Sequence, residues 1–404
     1  MERRLEREFE TYFGENLADV TQTPAEISKT LATLAHKTGS RAGVLWVIPR
    51  EQELHLVLLL PDGAPIVKDF PNVPRDRLLE TVRTYQREIS DPSHDPKTST
   101  AARQLYDWII APYEREHLSE AEIDSLLFCL GSGLRGLPLA ALQKPNGQYL
   151  VEQYSLTSIP AFNLIDTRYR PAKRGRILAA GASLFDQLTP LPAVPMELEI
   201  VRSELRDSPE STRQWQGRSL LNQNFTLNNL KEELDATQFN IIHLATHADF
   251  KPGDPKESFI QFQDQPLRVG DLGAIPWPEN LDLLVLSACK TAIGDPDAEL
   301  GFSGVALKAQ IKSAIGSLWS VSDLGTLALM SEFYHQLPQA PTRAIALQQA
   351  QLRLLRGEVR VGDNRLLHAQ RGSRSLPSAI ALGQNADFTH PYFWAGFTMI
   401  SSPW

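Results

Sequence analysis

The chain has 404 residues, of which 42% are hydrophobic and 22% charged, with a formal net charge of −8. That length and apolar content provide for a large core and exclude a disordered protein, and the acidic balance excludes a nonspecific nucleic-acid binder, which needs clustered basic surface. With only two cysteines, Cys129 and Cys289, a disulfide framework is ruled out, and a reactive thiol is expected in a reducing, cytoplasmic setting.

The amino terminus, MERRLEREFETYF, is charged throughout and lacks the apolar stretch of a secretory signal. No run approaches the ~20 apolar residues needed to cross a bilayer, so membrane insertion is not expected. From Met1 to about Ser90 the pattern is helix, helix, then paired strands, Val44 to Pro49 and Leu54 to Leu60, flanking the charged turn Arg50 to Glu53. This predicts a small N-terminal α+β unit. The stretch Asp91 to Thr100 has the composition of a connector, which places a domain boundary between residues 1–95 and 96–404.

Beyond the connector, strand-length apolar runs alternate with helical patterns. The runs are Leu126 to Leu130, Arg176 to Ala182, Phe239 to His247, Leu281 to Cys289 and Ala314 to Val321. Amphipathic stretches follow at Met196 to Leu205 and Leu227 to Leu234, and helices are predicted at Gly301 to Ile311, Asp323 to Gln336 and Thr342 to Arg356. Continuous hydrophobicity marks strands covered on both faces, so the fold class is α/β, a mostly parallel sheet flanked by helices.

Two local patterns resemble ligand sites. Gly131 to Gly136 follows a strand in the spacing of a dinucleotide fingerprint, but the long helix that holds a pyrophosphate is cut short by the turn Lys144 to Gly147, and no cofactor is expected. His243 and His247 stand four apart on a strand, about 13 Å from one another by the rise per residue, too far to share one ion; no metal is expected.

Another pair suits chemistry better. His247 closes one buried strand and Cys289 another, and in open α/β sheets the carboxyl ends of strands converge on the ligand crevice. An imidazole beside a thiol raises the thiolate fraction and later protonates the leaving amine. Cys289 is followed by a polar, turn-forming loop, whereas Cys129 lies inside an apolar run and is assigned to the core.

The stretches LRGLPLAAL, YLVEQYSLTSIPA, HLATHADF, LVLSACKTAIGD, ELGFSGVALKAQIKSAIGSLWSVSD and HPYFWAGFTMI together resemble the CHAT family. This caspase-like domain, often attached to tetratricopeptide repeats, belongs to the clan of caspases, separases and gingipains. The resemblance implies a caspase-hemoglobinase-like fold, a catalytic dyad of His247 and Cys289, peptide hydrolysis through a thioester, and no metal or cofactor. It implies an oxyanion hole from the backbone N–H groups of Ala248 and Cys289, with Ala248 standing where the family commonly has Gly. It also implies an S1 pocket near Ser320 to Asp323 and Asp295 to Glu299, where Asp323, Asp295, Asp297 or Glu299 would favour a basic P1 residue. Asp323 has an alternative role as a helix N-cap. The expected partners are a protein substrate and, because repeats are absent, a regulatory protein met by the N-terminal unit.

The aromatic carboxyl-terminal segment HPYFWAGFTMISSPW is expected to close the core as a last strand, and Gly357 to Thr389 reads as a long mobile loop. Two other functions share these residues: a non-catalytic scaffold of the same fold, and a Cys-His hydrolase or acyltransferase acting on another acyl donor.

Overall fold

The computed structural model describes residues 2–14, 16–17, 21–207, 215–251, 255–291, 296–378, 380 and 385–404, with the backbone alone for 207, 288–291, 296, 297 and 299. Two helices open the chain, α1 (Glu2–Phe13) and α2 (Pro24–Thr38). Helix α2 starts at a capping box, in which the Glu26 carboxylate accepts from Thr23 N–H (2.7 Å) and Thr23 Oγ1 accepts from Glu26 N–H (3.3 Å). Strands β1 (Ala42–Pro49), β2 (Leu54–Leu59) and β3 (Ile66–Phe70) follow, then α3 (Arg75–Ile89), α4 (Thr100–Ile109) and the short α5 (Ala111–Tyr113). The alternating stretch continues as β4 (Ser125–Leu130), β5 (Ser155–Ile159), β6 (Gly175–Gly181), α6 (Val194–Asp207), β7 (Trp215–Leu221), α7 (Leu227–Ala236) and β8 (Ile241–Phe250). Next come β9 (Phe259–Gln261), β10 (Pro266–Arg268), β11 (Leu283–Thr291), α8 (Pro296–Ser303), α9 (Val305–Lys308) and β12 (Ser313–Ser317). The chain ends with α10 (Asp323–Gln336), α11 (Arg343–Leu355), β13 (Val359–Gly362), β14 (Arg365–His368), β15 (Gly372–Ser375), β16 (Ala386–Asp387) and β17 (Phe397–Ser401).

Among the described residues the main sheet has 13 strands. Strands β7, β6, β8, β11 and β12 form one parallel block. Strands β17, β5, β4 and β1 form a second. The two blocks run in opposite directions and meet at the antiparallel pair β12 and β17. The mixed α/β architecture agrees with the sequence reading, and its cause is visible in β1, whose eight residues are all buried. Leu45 and Val47 enter one core cluster while Val44, Trp46 and Ile48 enter another, because successive side chains of a strand point to opposite faces.

The N-terminal segment does not form a sheet of its own. Strand β1 pairs along its length with β4, from Ala42 beside Ser125 to Val47 beside Leu130, so residues on both sides of the connector share one sheet. The connector itself is a surface crossover between α3 and α4. The seam in the sheet lies instead at β12 and β17, which hydrophobic runs do not reveal. Among the described residues no helix is long and apolar enough to cross a membrane.

One sequence expectation is overturned. The segment Gly357 to Thr389 is not an irregular loop: its described residues build a separate four-stranded antiparallel sheet, ordered β15, β14, β13, β16. Asp363 and Asn364, both with φ above +50°, make the turn of its first hairpin, as Asp and Asn do in turns requiring left-handed residues. A charge network fixes this sheet to the helices beneath. His368 Nδ1 lies 2.6 Å from Glu332 on α10, Arg371 bridges Glu332 and Glu204 of α6, and Arg374 reaches Glu204 at 3.0 Å. His335 of α10 completes the cluster, 3.2 Å from Glu204.

Burial alone would push the Glu332 carboxyl up, but the hydrogen bonds and charges of His368 and Arg371 outweigh it and hold the group at about 2. A carboxyl depressed in the folded state contributes stability that is present above its unfolded value near 4.5 and is lost as pH falls toward 2. The small sheet should therefore loosen across that window. Glu332→Gln should cost roughly 3 kcal/mol at neutral pH and flatten the acid slope, as read by denaturant titrations from pH 7 to 2; an unchanged slope would show that Glu332 does not hold the sheet down.

Candidate active site

The site is built where β8 and β11 run side by side. Their pairing starts with Leu283 beside Ile241 and continues to Leu286 beside Leu244, then shifts at an irregularity, after which Ala288 stands beside His247 and Cys289 beside Ala248. Three steps along β8 match two along β11, so β8 carries one extra residue at Ala245 and Thr246, a β-bulge of the kind that re-aims side chains near functional sites. The bulge is supported from both flanks. Thr246 Oγ1 donates to Gln261 O (2.6 Å), and Ala182 N–H donates to Ala245 O (3.2 Å). Gly181 is needed here, since a Cβ at that position would sit 2.3 Å from the Ala245 carbonyl oxygen.

Both strands run past the residues singled out from sequence, β8 to Phe250 and β11 to Thr291. The backbone of Cys289 is thus one register step beyond the position paired with His247, on the adjoining parallel strand.

His247 is partly exposed and held by the loop that joins β6 to α6, residues 182–193. Its Nε2 lies 2.8 Å from Thr189 O, and the ring meets Phe185 edge to face with centroids 4.9 Å apart. The loop is closed on itself: Leu191 N–H donates to Ser183 O (2.9 Å), and Asn222 Oδ1 accepts from Ser183 N–H (2.8 Å) and Ser183 Oγ (3.0 Å). Thr189 precedes Pro190 and Leu191 precedes Pro192, which restricts the backbone further. Sequence reasoning missed this loop as a functional element. The available signal was its place after a buried strand of the same block, together with Leu184 and Leu188, which are 64% and 37% exposed.

His243 has a different environment. It is fully buried, with Nε2 2.9 Å from Glu197 Oε1 of α6 and Nδ1 3.0 Å from the Tyr334 hydroxyl of α10. The two histidines of the HxxxH pattern therefore face different partners, and both nitrogens of His243 are engaged in the core. Cys129 is likewise buried, and burial pushes its thiol well above the ordinary value.

Of the proposed S1 acids, Asp323 is the one whose side chain is described. It is the first residue of α10, and the cap is its neighbour: Ser322 Oγ accepts from Gly325 N–H at 3.3 Å, so the N-cap role considered for Asp323 belongs to Ser322. Asp323 Oδ2 instead accepts from Ala193 N–H (2.7 Å), at the end of the loop that holds His247. Burial raises its carboxyl to about 7, against the lowering effect of that hydrogen bond and with Glu197 adding to the rise. Asp297 and Glu299 fall in α8, described there by backbone only, and Asp295 lies outside the described residues.

The wall leading to Asp323 is pinned by the carboxyl-terminal aromatics. Tyr392 donates its hydroxyl to Ser320 O (3.0 Å) and accepts at its carbonyl from Trp319 Nε1 (3.1 Å). Trp394, Phe397 and Trp404 are buried, as expected of a core-closing segment. Ala248, expected to supply an oxyanion-hole N–H, is flanked by Cys289 on one side and by Ile260 of β9 on the other. The Gly131 to Gly136 turn is followed by a three-residue helical turn, Leu139–Ala141, and Gly133 has φ +84°, a left-handed backbone that accounts for that glycine.

No match is found among curated protein sequences. Among solved structures, the Saccharomyces cerevisiae separase–securin complex is similar in fold, with a TM-score of 0.51 at 8% identity over 94% of this chain and 31% of that chain. A second structure of that complex gives 0.48 at 10% identity over 93% and 31%. The Arg-specific cysteine proteinase gingipain R gives 0.46 at 9% identity over 95% and 79%. The chain spans less than a third of the separase chain, and identities this low speak for the fold alone. The CHAT domain, by contrast, matches residues 99–402, which include both β8 and β11. A match over well more than half the chain, on a mostly parallel sheet flanked by helices, makes this chain a member of the CHAT family.

Proposed function

We propose that this chain is a cysteine endopeptidase acting on specific protein substrates, with Cys289 as nucleophile and His247 as general base. The observation that carries the reading is the register of β8 and β11, which sets Cys289 beside Ala248 and one step from His247 on strands ~4.8 Å apart. The Thr189 carbonyl supports the role of the imidazole. A carbonyl only accepts, so Nε2 carries the ring proton and Nδ1 keeps a lone pair for the thiol proton.

In the proposed reaction Nδ1 takes the proton of Cys289, and the thiolate attacks the scissile carbonyl carbon. The tetrahedral adduct expels the amine, which receives the proton from the imidazolium, and a thioester remains. Water, deprotonated by the same imidazole, then attacks the thioester, releasing the carboxylate product while the thiol regains its proton. These steps move protons between groups of the chain and substrate, and need no metal or cofactor. The N–H groups of Ala248 and Cys289 would serve the oxyanion. Because an N–H of a strand flanked on both sides points at a neighbour, that role calls for the short β9 edge to widen as substrate enters.

Asp323 supports a basic P1 preference, with Asp295, Asp297 and Glu299 as further acids of the same subsite. Exposed Leu184 and Leu188 add apolar surface beside His247 on which a peptide can lie. A regulatory protein partner would suit the outer edge of the sheet, where β3 leaves Val67 52% exposed. A chain whose chemistry depends on one reduced thiol suits the cytoplasm.

Two outcomes are expected. Cys289→Ala and His247→Ala should each abolish cleavage of a peptide library, while Cys129→Ala cleaves as wild type; cleavage surviving in Cys289→Ala would end the peptidase reading. For the subsite, a carboxyl raised to about 7 is neutral at lower pH, so the ratio of kcat/KM for Arg over Leu at P1 should climb as pH passes 7. The ratio cancels the titration of the dyad. Asp323→Asn should flatten that climb and lower the ratio about 100-fold at pH 8, and a ratio that stays pH-independent in the wild type would remove Asp323 from the pocket.

A further inference from the structure

The first helix, α1, lies wholly outside the matched CHAT domain, yet it packs on the helix that follows the nucleophile strand. Its sequence, ERRLEREFETYF, is mostly charged, and Leu5 and Phe9 are its fully buried apolar side chains. The amino-terminal half is fastened to the second parallel block. Trp46 Nε1 donates to Glu2 Oε1 (2.5 Å), Asn163 donates its backbone N–H to Glu2 Oε2 (3.1 Å) and its side-chain amide to Glu6 Oε1 (2.7 Å). The buried Arg135 pairs with Glu8 and lies over the Phe9 ring, 5.1 Å from its centroid.

The carboxyl-terminal half reaches the other block. Tyr12 and Phe13 pack where α8 and the turn after it have no side chain: a Cβ on Gly301 would stand 2.8 Å from Tyr12 Oη, and one on Gly304 would stand 2.5 Å from the Phe13 ring. The same Cβ on Gly301 would stand 3.7 Å from the ring of Phe250, the last residue of β8, and Phe250 packs edge to face on Phe302 of α8. Lys308 of α9 lies over Phe13 at 5.8 Å. One helix thus touches both blocks of the sheet, and its last turn bears on α8. Phe250, on which α8 packs, stands beside Thr291, two residues past Cys289 on β11, so a displacement of α8 is felt at that strand.

We propose that Tyr12 and Phe13 are positioning residues for the nucleophile: their packing against Gly301 and Gly304 fixes α8, and through α8 the segment that carries Cys289. This rests on the reading of Cys289 as the reacting thiol. It assigns the N-terminal helix to the working state of the site rather than to partner recognition alone, and it makes the seating of that helix a way to set activity.

The test uses the full-length chain and two readouts, steady-state cleavage of an Arg-containing peptide and the rate at which iodoacetamide alkylates Cys289, located by mass spectrometry. Phe13→Ala should lower kcat about 10-fold with KM within about twofold of wild type, and change the alkylation rate at Cys289 by a similar factor, because a sub-ångström shift of a reacting group suffices for such losses. Phe13→Leu, which refills the contact, should recover most of both. Gly301→Ala inserts a methyl against Tyr12 and should impair both readouts, and Tyr12→Phe, which takes away the oxygen it strikes, should restore them in the double variant. That pair keeps the test decisive should Phe13→Ala fold poorly. Wild-type kcat and alkylation in Phe13→Ala, or a Gly301→Ala defect that Tyr12→Phe does not relieve, would overturn the proposal. Should wild type cleave no peptide, the peptidase reading falls, while the alkylation rates alone still decide whether α1 positions the thiol.

Discussion

The parallel pairing of β8 with β11 is the constraint on which the rest of the site depends. Each strand is apolar enough to be covered on both faces, so neither has a solvent-facing edge of its own to set its register. On β8, polar groups that have one satisfactory arrangement seat the strand against its other neighbours, α6, α10, β6 and β9. His243 lies between Glu197 and Tyr334, and breaking that trio would leave a carboxylate buried without its partner. Two residues further on, the bulge at Ala245 and Thr246 gives its carbonyl to Ala182 and its hydroxyl to Gln261. A slip of β8 by one residue would break all of these contacts together, and the buried histidine thereby secures the seating of the strand that carries the exposed one.

A single loop links His247 to Asp323. Residues 182–193 give the Thr189 carbonyl to His247 and the Ala193 N–H to Asp323. Both ends are fixed, by Asn222 at Ser183 and by the start of α6 at Val194. Any change at the Ala193 N–H or the Asp323 carboxyl therefore acts on the same short, proline-stiffened segment that holds the His247 imidazole. The surroundings of Asp323 and the orientation of His247 are thereby coupled through one segment.

Much of this was legible in the sequence because burial on both faces leaves a continuous apolar run. Leu126 to Leu130, Arg176 to Ala182 and Leu281 to Cys289 each coincide with a strand within a few residues, and Asp323 to Gln336 matches α10 at both ends. Pairing partners were not legible, since apolar runs say nothing about which neighbour a strand chooses; β1 joining β4 across the connector is the consequence. The small sheet over β13 to β16 was hidden for a different reason. Its strands are two to four residues long, and much of its attachment is by Arg and His to buried glutamates, a polar pattern that reads as loop. Thr189 illustrates a third limit: a backbone carbonyl is an acceptor in every residue, so its role has no side-chain signature.

The antiparallel seam between β12 and β17 gives these separate features a common logic. The two parallel blocks run in opposite directions, so their carboxyl ends open at opposite ends of the sheet, and the crevice that holds His247 belongs to one block alone. Elements that cross from one block to the other are then the natural means of transmitting force to that crevice. Tyr392 does so near Asp323, as it bonds Ser320 O and Trp319 Nε1 from the segment leading into β17. Helix α1 does so beside α8, with Glu2 and Glu6 anchored to Trp46 and Asn163 at one end and Tyr12 and Phe13 seated on α8 at the other. The block that lacks His247 and Cys289 is thereby tied to the block that carries them, which gives a physical reason for the chain to keep α1 and β1 to β3 folded onto the sheet of the domain that follows.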